Sequence, residues 1–385
     1  MNFPIDKFQS LRTPFYYYDT ALLSQTLDVI SAQLAHHEGY RMHYAIKANA
    51  NPVLLRMISA RGFGADCVSG GEVQTAIAHG FAPETVVYAG VGKSDWEINL
   101  ALDAGIGCFN VESAAELRVI NDLALTKGVQ APVALRVNPD IGAHTHANIT
   151  TGLAENKFGI NLEQLEDVLR ETLSLPGVVY KGLHFHIGSQ ITDMLDFQAL
   201  CNRVNSLSQV LGRRGLPVGD INVGGGLGVD YEHPDETPMA DFEAYFDVFR
   251  RHLDTRPDQL VHFELGRSIV APCGSLVTRI LYVKEGSAKR FAIVDGSMTE
   301  LIRPALYHAF HLPQNISADA DSPIVTYDVV GPVCESSDVF TKAFDLPECH
   351  RGDFIAFRTA GAYGETMASG YNCRPLPPSY FSINL

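Results

Sequence analysis

The 385-residue sequence has no excess of basic residues, no paired-cysteine motif and no long uninterrupted apolar run. With 44 acidic against 29 basic side chains and a formal charge of −15, it lacks the basic footprint of a nucleic-acid binder. The same charge leaves a small-molecule pocket open, because the local field of a cleft can oppose the sign of the whole chain. The seven cysteines (Cys67, Cys108, Cys201, Cys273, Cys334, Cys349 and Cys373) are scattered, odd in number and never spaced C-x-x-C. That pattern argues against a disulfide framework or a zinc site and fits reduced thiols. No stretch approaches the roughly 18 apolar residues of a membrane span. Met1 to Thr13 shows no basic head followed by an apolar run, so no signal peptide is expected. The cytoplasm is the expected compartment.

What the chain does have is a repeating unit. From about residue 40, a short apolar run, a Gly- or Asn-rich turn and an amphipathic helical stretch recur. The apolar runs are Met42–Ile46, Phe63–Cys67, Val86–Ala89, Gly107–Val111, Val133–Val137, Tyr180–Ile187, Ile221–Val223 and Val261–Leu265. Helix-period stretches separate them, among them Val53–Ala60, Glu72–His79, Ala114–Thr126 and Phe242–Leu253. Strands alternating with helices imply parallel βα units, and eight of them imply an α/β chain folded as a (β/α)8, TIM-like barrel. An open doubly wound sheet is the rival, but it would more naturally stop at five or six strands. After about Arg267 the rhythm gives way to short β-rich runs, including Ser275–Val283, Arg290–Asp295, Ile324–Val330 and Phe354–Thr359. This predicts a mostly-β C-terminal domain, barrel- or sandwich-like. The expected division is a barrel over residues 25–268 and a β domain from 1–24 and 269–385, with Phe15–Tyr18 as a strand of the latter.

In such a barrel, functional groups gather at the C-terminal ends of the strands, and a phosphate site often follows strands seven and eight. Lys47 ends the first strand in Tyr44-Ala-Ile-Lys-Ala-Asn49, and Asp66 lies in the second. His184-Phe-His-Ile-Gly-Ser-Gln190 closes the sixth, Gly224-Gly-Gly226 follows the seventh and Glu264-Leu-Gly-Arg267 closes the eighth. An isolated lysine at a strand end is usually an ordinary snorkelling side chain. A buried one has a lowered pKa and attacks carbonyls. The glycine triplet exposes backbone N–H groups suited to a phosphate, although alone it would suggest only a tight turn. Ser189 and Arg267 can add donors to the same anion. A phosphate site plus a reactive lysine points to a phosphorylated aldehyde, for which pyridoxal 5'-phosphate is the candidate cofactor. Glu264 could then hold a proton on the pyridine nitrogen, the bland alternative being a plain Glu264–Arg267 ion pair. His186 could stack on the ring. His184 and His186 share a strand face, but no third ligand suggests a metal. Arg303 and Tyr307, four apart after Leu301, could face one pocket, with Arg303 gripping a carboxylate. Arg351-Gly-Asp353 is expected to be a turn.

These motifs, with Asp66-Cys-Val-Ser-Gly-Gly-Glu72, Cys334-Glu-Ser-Ser-Asp338 and Ala360-Gly-Ala-Tyr363, resemble those of the alanine-racemase-like (fold type III) pyridoxal-phosphate decarboxylases. The resemblance runs from Thr13-Pro-Phe-Tyr16 to Asn372 and is strongest to the branch acting on meso-diaminopimelate. It implies that Lys47 is the Schiff-base lysine, His186 the stacking histidine and Cys334 the catalytic proton donor. Cofactor contacts would come from Asp66, Ser189, Gly225, Gly226, Glu264, Gly266, Arg267 and Tyr363. Substrate contacts would come from Arg267, Arg303, Tyr307, Glu335 and Tyr363. It also implies a homodimer with shared active sites, in which Cys334, Glu335 and Tyr363 come from the partner subunit. Two positions depart from the pattern: Leu265 stands where proline is usual, and Asp295-Gly-Ser297 stands for Asp-Ala-Gly.

The expected reaction is decarboxylation of meso-2,6-diaminopimelate to L-lysine. Glu335 would meet a distal ammonium and Arg303 a distal carboxylate. Ornithine and lysine lack that carboxylate, which would leave Arg303 unpaired at a cost of about 1–3 kcal/mol. An ornithine, arginine or lysine decarboxylase is the runner-up. An alanine racemase is opposed by Glu264. A non-catalytic regulator is opposed by the joint presence of Lys47, Glu264 and Cys334.

Overall fold

The structure is a computed structural model that describes Met1, residues 3–139 and residues 157–385. Its strands are β1 (Phe15–Tyr18), β2 (Tyr40–Ala45), β3 (Gly64–Cys67), β4 (Val86–Tyr88), β5 (Cys108–Val111) and β6 (Ala131–Arg136). There follow β7 (Val178–His184), β8 (Asp220–Asn222), β9 (Val261–Leu265), β10 (Gly274–Glu285) and β11 (Arg290–Val294). The last are β12 (Pro313–Asn315), β13 (Ile324–Val330), β14 (Val339–Pro347), β15 (Phe354–Phe357) and β16 (Ser379–Phe381). The chain divides into two compact units: Met1–Thr26 with Val229–Ala240 and Arg267–Leu385, and Leu27–Gly228 with Asp241–Gly266.

The second unit is a closed parallel barrel, β2 through β9 in chain order, sealed where His43 of β2 registers with Glu264 of β9. All eight strands expected from the sequence are present, and the open-sheet alternative is excluded by closure. The strands are buried on both faces over most of their length, which is why their sequences read as nearly continuous apolar runs. Outward residues pack under the helices: Phe263 of β9 lies 4.9 Å from Phe246 and 5.2 Å from Phe249, on the helix Phe242–His252. The helices start where capping side chains allow. Asn51 accepts from Val53, and Ser69 accepts from the Glu72 amide. At the N-terminal end of the barrel, a cavity of about 190 Å³ is lined by groups that include His43, Lys181, Asp220 and His262. Gly107 and Gly182 are needed there, because a Cβ would stand 2.2 Å from the Glu84 carbonyl or 2.0 Å from that of Asp220.

The first unit is built on an eight-stranded sheet ordered β12-β15-β10-β11-β13-β14, with β1 paired to β10 and β16. Strand β1 thus joins the β-rich unit as expected, antiparallel to β10 with Phe15 opposite Val277. Phe8, Phe15, Tyr17, Val277 and Phe354 form its core. Three strands escaped the sequence reading. Strands β12 and β16 have only three residues each, and β14 is polar on one face with Ala343 at a φ of 48°. The helix Thr20–Ala35 also went unread; Asp19 Oδ1 caps it by accepting from the amides of Ala21 and Leu22.

The expected span of the barrel, 25–268, needs correcting: Val229–Ala240 belongs to the β-rich unit, as do residues 25–26 and 267–268 at its edges. The cause is a set of polar anchors invisible in the local sequence. Asp235 takes a two-pronged grip from Arg358, and its Oδ1 also accepts from the Met1 ammonium. Tyr231 is held by Arg267 and Arg303. Among the described residues, no helix is long and apolar enough to cross a membrane.

Candidate active site

In the barrel unit, Lys47 sits in a short 3-10 turn, Ile46–Ala48, directly after β2. Its side chain is 41% exposed, so the amine is half open and not buried as the sequence suggested. The turn faces a carboxylate at close range, with Nζ 3.4 Å from Asp66 Oδ2. Gly266 lets the chain after β9 press on this turn, since a Cβ there would lie 2.9 Å from the Ala48 Cβ. Asp66 is buried at the end of β3, and its Oδ1 has no hydrogen-bond partner. Burial, and then the Glu264 charge, push its carboxyl up to about 7.

Glu264 is the best-held group in the barrel. Its Oε1 accepts from Asn110 Nδ2 at 3.1 Å and from Asn222 Nδ2 at 2.7 Å. Its Oε2 lies 3.0 Å from His184 Nε2. All four residues are buried. Burial alone would favour the neutral acid, but His184 and the Lys47 amine outweigh it and hold the carboxyl well below the usual carboxylate range. Since Nε2 of His184 is committed to the carboxylate and its Nδ1 is unpartnered, the two-histidine metal reading gains no support. Among the described residues, no cluster of three or more metal-ligating side chains occurs.

His186 lies two residues on, and its Nδ1 is 3.3 Å from the Gly225 amide. Burial, then the Arg136 and Lys47 charges, hold its pKa well below the ordinary histidine value. The three glycines are each required: Gly224 and Gly226 have φ of 70° and 112°, and a Cβ on Gly225 would stand 1.9 Å from the Glu264 carbonyl. The loop carrying Ser189 is zipped to this turn, with Ile191 N donating to Gly226 O and Gly228 N to Ile191 O. The mouth of the barrel therefore brings together Lys47, Asp66, His186, Ser189, Gly225, Gly226, Glu264 and Gly266.

The β-rich unit holds a second cluster. Arg267 and Arg303, both buried, donate through Nη1 to the one hydroxyl of Tyr231, at 2.7 and 3.0 Å. Arg303 begins the helix Arg303–Tyr307 in the turn expected from Pro304. Tyr307, at its other end, is half-buried. The Arg267 guanidinium lies 4.9 Å over the Tyr363 ring of its own chain. Tyr363 was grouped with Cys334 and Glu335 on a partner subunit; this contact ties it to Arg267 within one chain. Cys334 and Glu335 are exposed on the loop Gly331–Asp338. Asp338 shapes that loop from beneath, accepting from the Val333 and Met298 amides. The Tyr371 hydroxyl donates to Glu335 at 2.7 Å. At the departure near Asp295, Gly296 is required because a Cβ would meet Thr278 at 2.4 Å, and the Ser297 hydroxyl donates to Glu300.

Residues 24–271 match the family described as pyridoxal-dependent decarboxylase, pyridoxal binding domain. The chain is 58% identical over 383 residues to the diaminopimelate decarboxylase of Bacteroides thetaiotaomicron, covering all of this chain and 99% of that one. The chain belongs to the diaminopimelate decarboxylase family. The crystal structure of the Helicobacter pylori diaminopimelate decarboxylase complexed with L-lysine superposes with a TM-score of 0.91 at 39% identity, covering 98% of this chain and 93% of that one. A lysine/ornithine decarboxylase from Vibrio vulnificus, complexed with putrescine, has a TM-score of 0.83 but 21% identity and shares the fold alone.

Four residues of this diaminopimelate decarboxylase family member escaped the reading from sequence: Asn110, Asn222, His184 as a partner of Glu264, and Tyr231. The first three left a signal, a polar residue at an inward position of an otherwise apolar strand. Tyr231 left none.

Proposed function

We propose that the chain decarboxylates meso-2,6-diaminopimelate to L-lysine and CO2, with pyridoxal 5'-phosphate held at the barrel mouth. The residues fit that cofactor. The glycine turn is a cradle that any side chain would fill, and two buried polar atoms, Asp66 Oδ1 and His184 Nδ1, have no partner. Lys47 would hold the aldehyde through its amine, and the glycine turn with Ser189 would hold the phosphate. When bound, the cofactor supplies an electron-accepting ring that takes up the charge left by departing CO2. The observation that carries the reading is the Glu264 cluster. Two amide donors, the His184 imidazole and the nearby Lys47 amine keep this carboxylate ionised in the barrel interior, so it can hold a proton on a ring nitrogen.

His186 would pack against the cofactor ring and limit its tilt. Arg303 receives the distal carboxylate of the substrate and Glu335 its distal ammonium. Cys334 Sγ delivers a proton to the substrate α-carbon, and the Lys47 amine releases the product. We read the enzyme as a cytoplasmic homodimer in which Cys334 and Glu335 serve the partner's barrel. Their exposed position on the Gly331–Asp338 loop supports this. The 58% identity to a diaminopimelate decarboxylase favours this substrate over ornithine, arginine or lysine.

The test is CO2 release from a panel of meso-diaminopimelate, lysine, ornithine and arginine, read beside the visible absorbance of purified holoenzyme. Only meso-diaminopimelate should be turned over at a useful rate. Lys47→Ala should lose both the lysine-bound cofactor band and at least about 10³-fold in activity. Turnover of ornithine alone would overturn the substrate, and a band that survives Lys47→Ala would overturn the mechanism.

A further inference from the structure

We propose that the Tyr231 hydroxyl is a positioning group that locks Arg267 and Arg303 into one paired carboxylate-binding fork. The proposal rests on the reading above, in which the substrate carries a distal carboxylate. Two buried guanidiniums aimed at one oxygen repel each other, and such a pair persists only if something neutral or negative holds it. The phenol does this directly, accepting from both Nη1 groups at 2.7 and 3.0 Å. Burial opposes ionisation of the phenol, but Arg267 and then Arg303 outweigh it and lower its pKa below the ordinary tyrosine value. The lone pairs of that oxygen, aimed at both Nη1 groups, offset the repulsion it bridges.

The remaining contacts fix the plane of each guanidinium. Arg303 lies 5.0 Å over the Tyr231 ring, and Arg267 lies 4.9 Å over Tyr363. The second hydrogen of Arg303 Nη1 goes to His311 Nε2 at 2.9 Å. Burial, with Arg303 next, pushes the His311 pKa down to about 3, so the ring is neutral and Nε2 can accept. Its Nδ1–H then donates to the Arg358 carbonyl at 3.1 Å. Nη1 of Arg303 is thus fully used. Among the described residues, its Nε and Nη2 groups donate to nothing, and that edge is the one that grips a carboxylate in two parallel bonds. Arg303 also has no carboxylate within ion-pair distance among the described residues. Tyr231 reaches this place because Asp235, four residues on, is clamped by Arg358.

Tyr231→Phe removes one oxygen and keeps the ring that stacks on Arg303. Expected is a KM for meso-diaminopimelate raised about tenfold, the effect of roughly one charge-assisted hydrogen bond, with kcat changed less than about threefold. In an Arg303→Lys background the same change should add less than about twofold, because coupled residues are not additive. A wild-type KM in Tyr231→Phe, or full additivity with Arg303→Lys, would overturn the proposal. Spectra of holoenzyme labelled with guanidino-15N arginine need no turnover. The two resonances lost in Arg267→Lys and in Arg303→Lys should both shift in Tyr231→Phe, and if either stays in place the shared fork is refuted. A wild-type protein that fails to turn over meso-diaminopimelate would refute the functional reading, while the spectra would still decide the fork.

Discussion

The barrel interior and the β-rich unit solve the same physical problem with opposite sign. Glu264 is a buried anion whose partners are two amides and an imidazole. Arg267 and Arg303 are buried cations that share a phenol, with a neutral imidazole on Arg303. A carboxylate fully paired with Arg267 and Arg303 would quench their charge and leave nothing for a ligand. Amide, phenol and imidazole partners stabilise each ion while leaving its field available, which is the kind of preorganisation catalysis and recognition both need. The difference lies in rigidity. Asn110, Asn222, His184 and Glu264 stand on neighbouring or facing strands of a closed barrel, whereas Tyr231 comes from a segment pinned by Asp235.

Three experiments bear on this comparison. The largest effect is expected from Glu264→Gln, which can keep both asparagine bonds on its one oxygen while losing the charge and the acceptor that faces His184 Nε2. Decarboxylation should fall by about 10²–10³-fold with the fold intact, measured as CO2 release alongside thermal melting. Wild-type turnover would mean that the shape of the cluster matters and its charge does not.

Next in size is the pH dependence of Asp66. Its carboxyl is raised in the folded chain, so the protonated form favours folding and stability is lost as pH rises from about 4 through about 7. Up to about 4 kcal/mol is at stake, on the order of three pKa units. Asp66→Asn should flatten that slope in melts taken across the window. A slope unchanged by the substitution would place the effect elsewhere.

The smallest effect is expected for Asn222→Ala. The change removes a donor from Glu264 and an acceptor from the Gly224 amide, at 2.7 and 2.9 Å. Denaturant unfolding should register a loss of about 1–3 kcal/mol. No loss would show that the barrel can rehydrate its anion, and the contrast with the β-rich unit would disappear.

The sequence by itself determined the architecture and most of the barrel mouth. Strands buried on both faces must be apolar, so eight such runs separated by amphipathic helices announced the closed sheet. Chemically unusual residues at strand ends then announced Lys47, Asp66, His186, Gly224–Gly226 and Glu264. What only the tertiary structure decided were contacts between residues far apart in the chain. Asn110 and Asn222 meet Glu264 across 154 and 42 positions, and Tyr231 meets Arg303 across 72. Local periodicity records which face a residue turns inward, but not which distant partner waits there. Tyr363 beside its own Arg267, and Val229–Ala240 in the β-rich unit, follow from the same limit. Both depend on pairings closed by folding, and no local pattern of side chains encodes them.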